Sequence, residues 1–400
     1  MKKVIALLIA ILMMAALVAC GNGGKTDTPA STPPASNTPA PPASTPPPVV
    51  DKNFEIPYVD FGYKPASDPF AREKYQFAHI IMMHSPFSQL MVDMYSYMGT
   101  LLNYEITSYS SYRDADGFMN FIEMQAGQGV DGMIIEGDFT LQDRIFELTD
   151  EYNIIFMPGL SPLITAEGKY LRPSAVMDSY KMGWGCMEYM LDNYQNYTGK
   201  SFNADKMGFI TLEFGIITDF NTRRDGAVDA YKARYPQLLK TNYFNLDTSP
   251  EPNPMAAEAA YTYVSSLIAA NPDFEGWLVF GVAEDFGDGA SRALEDFGYG
   301  NTSLVTTVAV TMLTEKWKTG YEGCWIGGAD TPPIQWAHAV VSGLFLLLDG
   351  KETPDTLWKQ YREPGQDVTV IKLPYTIVNR SMYKDYLAAV DRYMANVFAK

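Results

Sequence analysis

The side chains able to do chemistry are unevenly supplied. Acids dominate, with 47 Asp and Glu against 30 Lys and Arg, and there are three His and three Cys. In a chain so rich in acids, paired carboxylates are no sign of acid–base catalysis by themselves. The sequence has no G-x-S-x-G elbow, no H-E-x-x-H and no G-x-x-x-x-G-K-[ST]. His79, His84 and His338 are scattered, and Cys20, Cys186 and Cys324 are far apart. No metal-ligand spacing results, so neither a metal nor a cofactor is expected. What remains is hydrogen-bonding chemistry. His84, Ser85 and Ser88 crowd one short stretch, and Glu284-Asp285 follow an apolar run. Donors and acceptors of this kind hold hydroxyls rather than break bonds. A histidine satisfied within its own loop, and acids favoured by a helix amino terminus, are the plainer alternatives. No enzyme activity is expected.

The elements that must hold these groups show from residue 75 onward. Gln76-Phe77-Ala78-His79-Ile80-Ile81-Met82-Met83 reads as a buried strand. Over 88–103, Leu90, Met91, Met94, Tyr97, Met98, Leu101 and Leu102 fall in steps of three and four, one helix face. Strands at 105–109, 130–135 and 154–157 alternate with helices at 118–128 and 141–152. The cycle then repeats, with helices at 179–194, 223–235, 255–270 and 287–297 and strands at 206–212, 243–246, 277–280 and 304–310. A long apolar helix at 334–348 and a strand at 368–373 close the pattern. Such alternation implies α/β architecture with parallel sheets and right-handed crossovers; two successive units of similar size imply two doubly wound lobes. Ligands of such sheets bind beyond the carboxyl ends of the strands. That makes 84–88, 136–139, 158–161, 213–223 and 283–286 the candidate rim.

The first fifty residues have another character. Lys2 and Lys3 precede an apolar run from Val4 to Val18, too short for a membrane span of roughly twenty residues. Leu17-Val18-Ala19-Cys20 then resembles the lipobox of bacterial lipoproteins. The resemblance implies a signal peptide over 1–19 and a diacylglycerol on the Cys20 thiol; an ordinary secretion signal with a chance cysteine is the alternative. Residues 21–50 are rich in Pro, Ser, Thr and Ala and lack large apolar groups, so they cannot offset the entropy of ordering. With Cys20 they read as a stiff tether over 20–50, followed by an extended lead-in over 51–74. The expected place is the extracytoplasmic face of a cell membrane, held by lipid. A formal charge of -17 argues against nucleic acid or an anionic headgroup as partner. Cys186 and Cys324 could pair in that compartment or stay as two buried thiols.

The order of motifs resembles the sugar-binding, ribose-type group of type I periplasmic binding proteins, over roughly residues 76–378. Ser85-Pro86-Phe87-Ser88 stands where that family has an Asn-Pro-Phe-Phe-like turn. Gln128-Gly129-Val130-Asp131-Gly132-Met133-Ile134-Ile135 matches its V-D-G-I-I phrase, and Val176-Met177-Asp178-Ser179 with Gly183 matches V-x-x-D-N…G. Arg223-Arg224-Asp225-Gly226 matches R-x-x-G. Asn271-Pro272-Asp273, Phe280, Gly289 and Ala290 follow the family's last long motif. The resemblance implies three crossings between lobes, near Asp178, Thr331 and Pro374. It sets one lobe at 75–178 and 331–373 and the other at 179–330 and 374–400.

The same resemblance implies site roles. Phe87 would stack on the apolar face of a sugar, with core packing as its alternative. Arg223 would give paired donors to hydroxyls or a carboxylate, with an ion pair to Asp219 or Asp225 as its alternative. Glu284 and Asp285 would accept from hydroxyls; Asp330 and Thr331 fall at the second crossing, where the family often uses Gln. Departures are as plain. Ala283-Glu284 replaces Asn-Asp, Met157-Pro158-Gly159-Leu160 lacks an Asp-Arg pair, Glu251-Pro252-Asn253-Pro254 lacks an aromatic, and Val310-Thr311 lacks an Asp. A different ligand or a different pose follows. The implied function is capture of a sugar or similar small polyhydroxy ligand by cleft closure and delivery to the permease of an ABC importer, by a monomer. A sensor that presents ligand to a signalling receptor would use the same outer faces and is the second reading.

Overall fold

The computed structural model describes residues 54–81, 86–112, 114–136, 141–160, 162–165 and 169–398. The apolar run, Cys20 and the tether lie outside these residues, as do His84 and Ser85.

Strand β1, Tyr75–Ile81, is buried along most of its length, as its apolar run requires. Helix α1, Pro86–Leu102, buries Met91, Tyr95, Met98 and Leu102, a stripe at helical spacing. It stops where Asn103 turns left-handed (φ 54°), a conformation asparagine tolerates. Strand β2, Tyr104–Ser110, helix α2, Ala115–Gly127, strand β3, Gly132–Ile135, helix α3, Gln142–Glu151, and strand β4, Phe156–Pro158, complete a four-stranded sheet. Its order is β2-β1-β3-β4 and all its pairs are parallel. Strand β5, Ser174–Met177, carries the chain to the first crossing.

The second lobe opens with α4, Ser179–Thr198. Then come β6, Met207–Glu213, α5, Thr218–Arg234, β7, Tyr243–Asp247, α6, Ala257–Ala270, β8, Gly276–Gly281, and α7, Glu284–Asp296. Strand β9, Leu304–Val308, helix α8, Thr311–Lys318, and strand β10, Trp325–Asp330, bring the chain to the second crossing. Helix α9, Pro333–Leu348, packs back on the first lobe, and β11, Val370–Leu373, pairs parallel with β5. After the third crossing, β12, Thr376–Asn379, runs antiparallel to β10, and α10, Tyr383–Ala395, ends the fold. The second sheet has the order β12-β10-β9-β8-β6-β7. Two parallel-sheet lobes are therefore present, as the alternation predicted, joined by three crossings, as the resemblance implied.

Two glycines of the matched motifs explain the join of α4 and α5. A Cβ on Gly183 would fall 1.8 Å from the Arg223 carbonyl oxygen, and one on Gly226 would fall 2.0 Å from that of Tyr180. Each helix thus seats its backbone in the other's notch. Replacing Gly183 or Gly226 with Ala should cost about 1–3 kcal/mol, read as a lower unfolding midpoint in denaturant.

The lead-in is more than a spacer. Ile56 and Phe61 are buried, and Phe61 meets His338 edge-on with ring centroids 4.9 Å apart. The Gln335 amide donates to the Pro57 carbonyl at 2.6 Å, and the Trp358 indole donates to that of Phe61 at 3.0 Å. Cys186 and Cys324 are both buried free thiols; they contact the Thr307 and Ser291 carbonyls rather than each other.

Candidate functional site

The carboxyl ends of the strands carry the polar residues that matter. On the first lobe, β3 runs into Glu136, which is buried. His79 Nε2 lies 3.1 Å from its Oε1, and the Leu160 amide donates to its Oε2. A Cβ on Gly159 would fall 2.1 Å from that Oε1, so the carboxylate occupies the space where a longer residue after β4 would extend. Phe87 is half-buried in the first turn of α1, its ring centroid 6.3 Å from that of Trp336. Trp336 is itself fixed by a 2.8 Å bond from its indole to the Ala175 carbonyl. Ser88 is buried rather than on an open rim.

On the second lobe, Arg223 sits in α5, five residues past its start, rather than in the loop before it. Arg223 is 8% exposed. Its Nη1 donates to the Val282 carbonyl at 2.9 Å, its Nη2 to Asp219 Oδ2 at 2.7 Å and its Nε to Ser179 Oγ at 3.4 Å. It lies over the Phe220 ring at 4.8 Å. Of the two ion pairs weighed from the sequence, that with Asp219 forms; Asp225 binds Arg224, which also grips Glu213 with bonds of 2.7 and 2.8 Å. Arg223 is therefore a strut from the first crossing to the loop after β8. Across from it, the phenol of Tyr170, on the segment between β4 and β5, is raised by burial and then by Asp219.

Glu284 and Asp285 lie in the first turn of α7, not in a loop before it. Glu284 is buried, and its Oε1 accepts the Met312 amide at 2.7 Å. Burial, then the charge of Asp330, pushes the Glu284 carboxyl well above its usual range, and burial raises that of half-buried Asp285. Asp330 ends β10 at the second crossing. Burial raises it to about 6, against opposition from the hydrogen bond of Tyr386, whose hydroxyl donates to Oδ2. Thr331 is fully buried, and its hydroxyl bonds the Pro374 carbonyl at 3.1 Å, tying the second crossing to the third. Thus Glu284 feels the charge of both Asp330 and Asp285, while Thr331 serves the hinge.

Sequence reasoning put Glu136 on the candidate rim without a role and passed over His79 and Tyr386. Glu136 had a usable signal, since it is the first polar residue after the apolar run of β3. Tyr386 had none: it meets Asp330 across 56 residues. Among the described residues no group of His, Cys, Asp or Glu could hold a metal ion, and no helix is long and apolar enough to cross a membrane.

No family model matches the chain, and no curated protein does. Solved structures do. An ABC transporter periplasmic solute-binding protein from Actinobacillus succinogenes 130z, with bound D-allose, superposes with a TM-score of 0.60 at 15% identity, over 78% of this chain and 100% of the other. A carbohydrate transporter solute-binding protein from Agrobacterium radiobacter, in complex with D-arabinose, gives 0.60 at 14%, over 80% and 99%. A galactofuranose-binding protein gives 0.62 at 12%, over 80% and 99%. This chain accordingly has the fold of the type I periplasmic binding proteins.

Proposed function

We propose that this chain is an extracytoplasmic solute-binding protein, anchored through lipid on Cys20, that captures a sugar or similar small polyhydroxy compound between its lobes and delivers it to an ABC importer. It does no chemistry on its ligand. The observation that carries the reading is the pair of parallel-sheet lobes joined by three crossings, with polar side chains gathered at the strand ends next to those crossings. Lobes joined this way can close on a ligand and present a changed outer face to a partner. The sugar-bound structures that superpose on the chain support the same reading. The acidic surface agrees with a protein that works off the membrane, at the end of a tether.

The test is a thermal-shift screen of residues 48–400, a single compact unit, against sugars, polyols, nucleosides and amino acids. A ligand that binds only the folded state raises the melting temperature by mass action. A shift with a sugar or polyol supports the proposal. A shift confined to nucleosides or amino acids keeps the fold and replaces the ligand class, and silence across the panel removes solute capture. Phe87→Leu then checks the stacking role: it keeps an apolar side chain against Trp336 but removes the flat ring. Affinity for the captured sugar should fall at least tenfold, about 1.4 kcal/mol, in calorimetry.

A further inference from the structure

Three carboxylates meet at the carboxyl ends of β8 and β10, and their environment is unusual. Glu284 is 5% exposed and Asp330 4%. The groups that act on them come from every element around them. Helix α7 brings Glu284 and Asp285, with Asp288 acting on Asp285; α10 brings the Tyr386 phenol; the segment from β9 into α8 brings the Val310, Met312 and Leu313 amides. Asp288 is itself paired with Lys316 Nζ at 2.6 Å and lies 3.4 Å from Arg292 Nε, but no cation acts on Glu284 or Asp330. Arg223, on the same lobe, is committed to Val282, Asp219 and Ser179. Two like charges in a dry site cannot both ionise without a counter-charge. Burial raises both carboxyls above their usual range, and the charge of Asp330 raises Glu284 further, so both hold protons at mildly acid pH.

A second observation is independent of charge. Tyr386 satisfies Asp330 Oδ2 and the Val310 amide lies near the carboxylate, but among the described residues no donor, that amide included, reaches the buried Oδ1 with hydrogen-bond geometry. An acceptor left without a donor costs about 1–3 kcal/mol, so a group that supplies one is favoured there. Asp330 is the last residue before the chain crosses between lobes, beside the face on which ligands of this fold sit. We propose that Asp330, Glu284 and Asp285 receive a protonated amine of the ligand, so that the captured compound is an amino sugar or a similar amine-bearing polyhydroxy molecule. This rests on the solute-binding reading above. An ammonium supplies three donors and the missing positive charge together. A hydroxyl supplies a donor but leaves the charges uncompensated. A uronic acid adds another negative charge to a site already short of cations.

The sign of the pH dependence follows. An amine is held by ionised carboxylates, so its binding expels the protons they carry in the free protein. Affinity for an amine rises as pH rises through about 6, while a neutral sugar shows no such rise. Calorimetry on the full-length protein tests this with glucosamine and galactosamine, their neutral parents, N-acetylglucosamine, glucuronate and putrescine, at about pH 5 and about pH 7, where the amines stay protonated and Asp330 passes from mostly protonated to mostly ionised. Repeating it in two buffers of different ionisation enthalpy counts the protons released. The expected result is that an amino sugar binds at least tenfold more tightly than its neutral parent at the higher pH. The gap narrows at the lower pH, and binding releases protons. Asp330→Asn and Glu284→Gln should each shrink the ratio of amine to neutral affinity. A neutral parent that binds as tightly as its amine, with no proton release, overturns the inference and leaves solute capture standing. Putrescine binding as tightly as the amino sugars overturns the polyhydroxy part. Silence of the whole panel, together with a silent thermal-shift screen, overturns the underlying reading as well. Proton release by the unaltered protein keeps the test decisive if a variant does not fold.

Discussion

Asp330→Asn should melt at a higher temperature than the unaltered protein at about pH 8, and the difference should vanish or reverse near pH 4. Burial lifts the folded-state carboxyl from 3.8 to about 6. Between those values the folded chain holds a proton that the unfolded chain has lost. Stability therefore falls as pH rises across that window, and stays lowered above it. At about 1.4 kcal/mol per pH unit, the window amounts to about 3 kcal/mol. Asparagine carries no charge at any pH, so it escapes this penalty, and its carbonyl can still accept from Tyr386. Its two amide hydrogens need acceptors, and leaving them unpaired would return about 1–3 kcal/mol of the gain. Thermal melts from about pH 4 to pH 8 measure the effect. A variant less stable than the unaltered protein at every pH would mean that Asp330 is ionised and satisfied in the unliganded fold. A buried residue whose removal stabilises the protein is the usual mark of a site kept for binding rather than folding.

How much of this could be read from the sequence depended on which interactions a residue needs. Strand β1 and the stripe of α1 were plain, because their burial follows from local period alone. Strand β10 was not. Gly327-Gly328 gives it the look of a turn, yet it is central in its sheet. Side chains there would run into the Val378 and Thr307 carbonyls at 2.6 and 2.5 Å, so small residues are demanded by neighbours distant in the chain. Strands β5 and β12 and helix α8 were likewise unread: four-residue strands and an eight-residue helix carry too few periods to stand out. Helix α10 was missed although its thirteen residues carry more than three turns. At the site, the positions of Arg223, Glu284, Asp285 and Asp330 followed from motif order, but their environments did not. Nothing local to Glu284 says that it is buried beside Asp330, and nothing local to Arg223 says that its donors are taken.

The two halves of the second lobe's site are opposed in design. Around Arg223 the protein brings acceptors to a cation until it is satisfied. Around Asp330 it gathers acids and withholds a cation. The first arrangement stabilises the unliganded fold and the second leaves something for a ligand to complete. This difference decides what each residue's loss should do, and it moves Arg223 away from the direct contact implied by the R-x-x-G motif.

Arg223→Ala should therefore act on the fold first. The substitution strips the donor from the buried Val282 carbonyl and from Ser179, and opens a void beside Phe220. The orphaned carbonyl alone costs about 1–3 kcal/mol. Asp219 adds little, because its side chain is 43% exposed and can recover water. A total near 3 kcal/mol is expected, at the low end of what loss of one partner from a fully buried ion pair costs. Ligand affinity should fall at least tenfold as well, since the strut sets the loop that leads into Glu284 and Asp285. Arg223→Lys should not restore either property: one ammonium lacks the planar fork that reaches Val282, Asp219 and Ser179 together. Asp219→Asn should be mild in melting and in binding. Denaturant unfolding and calorimetry on the three variants separate the roles. If Arg223→Ala loses affinity while its unfolding midpoint is unchanged, the guanidinium touches ligand directly and the strut is wrong. If stability and affinity fall together and lysine rescues neither, its work is to hold the first crossing to the acid cluster.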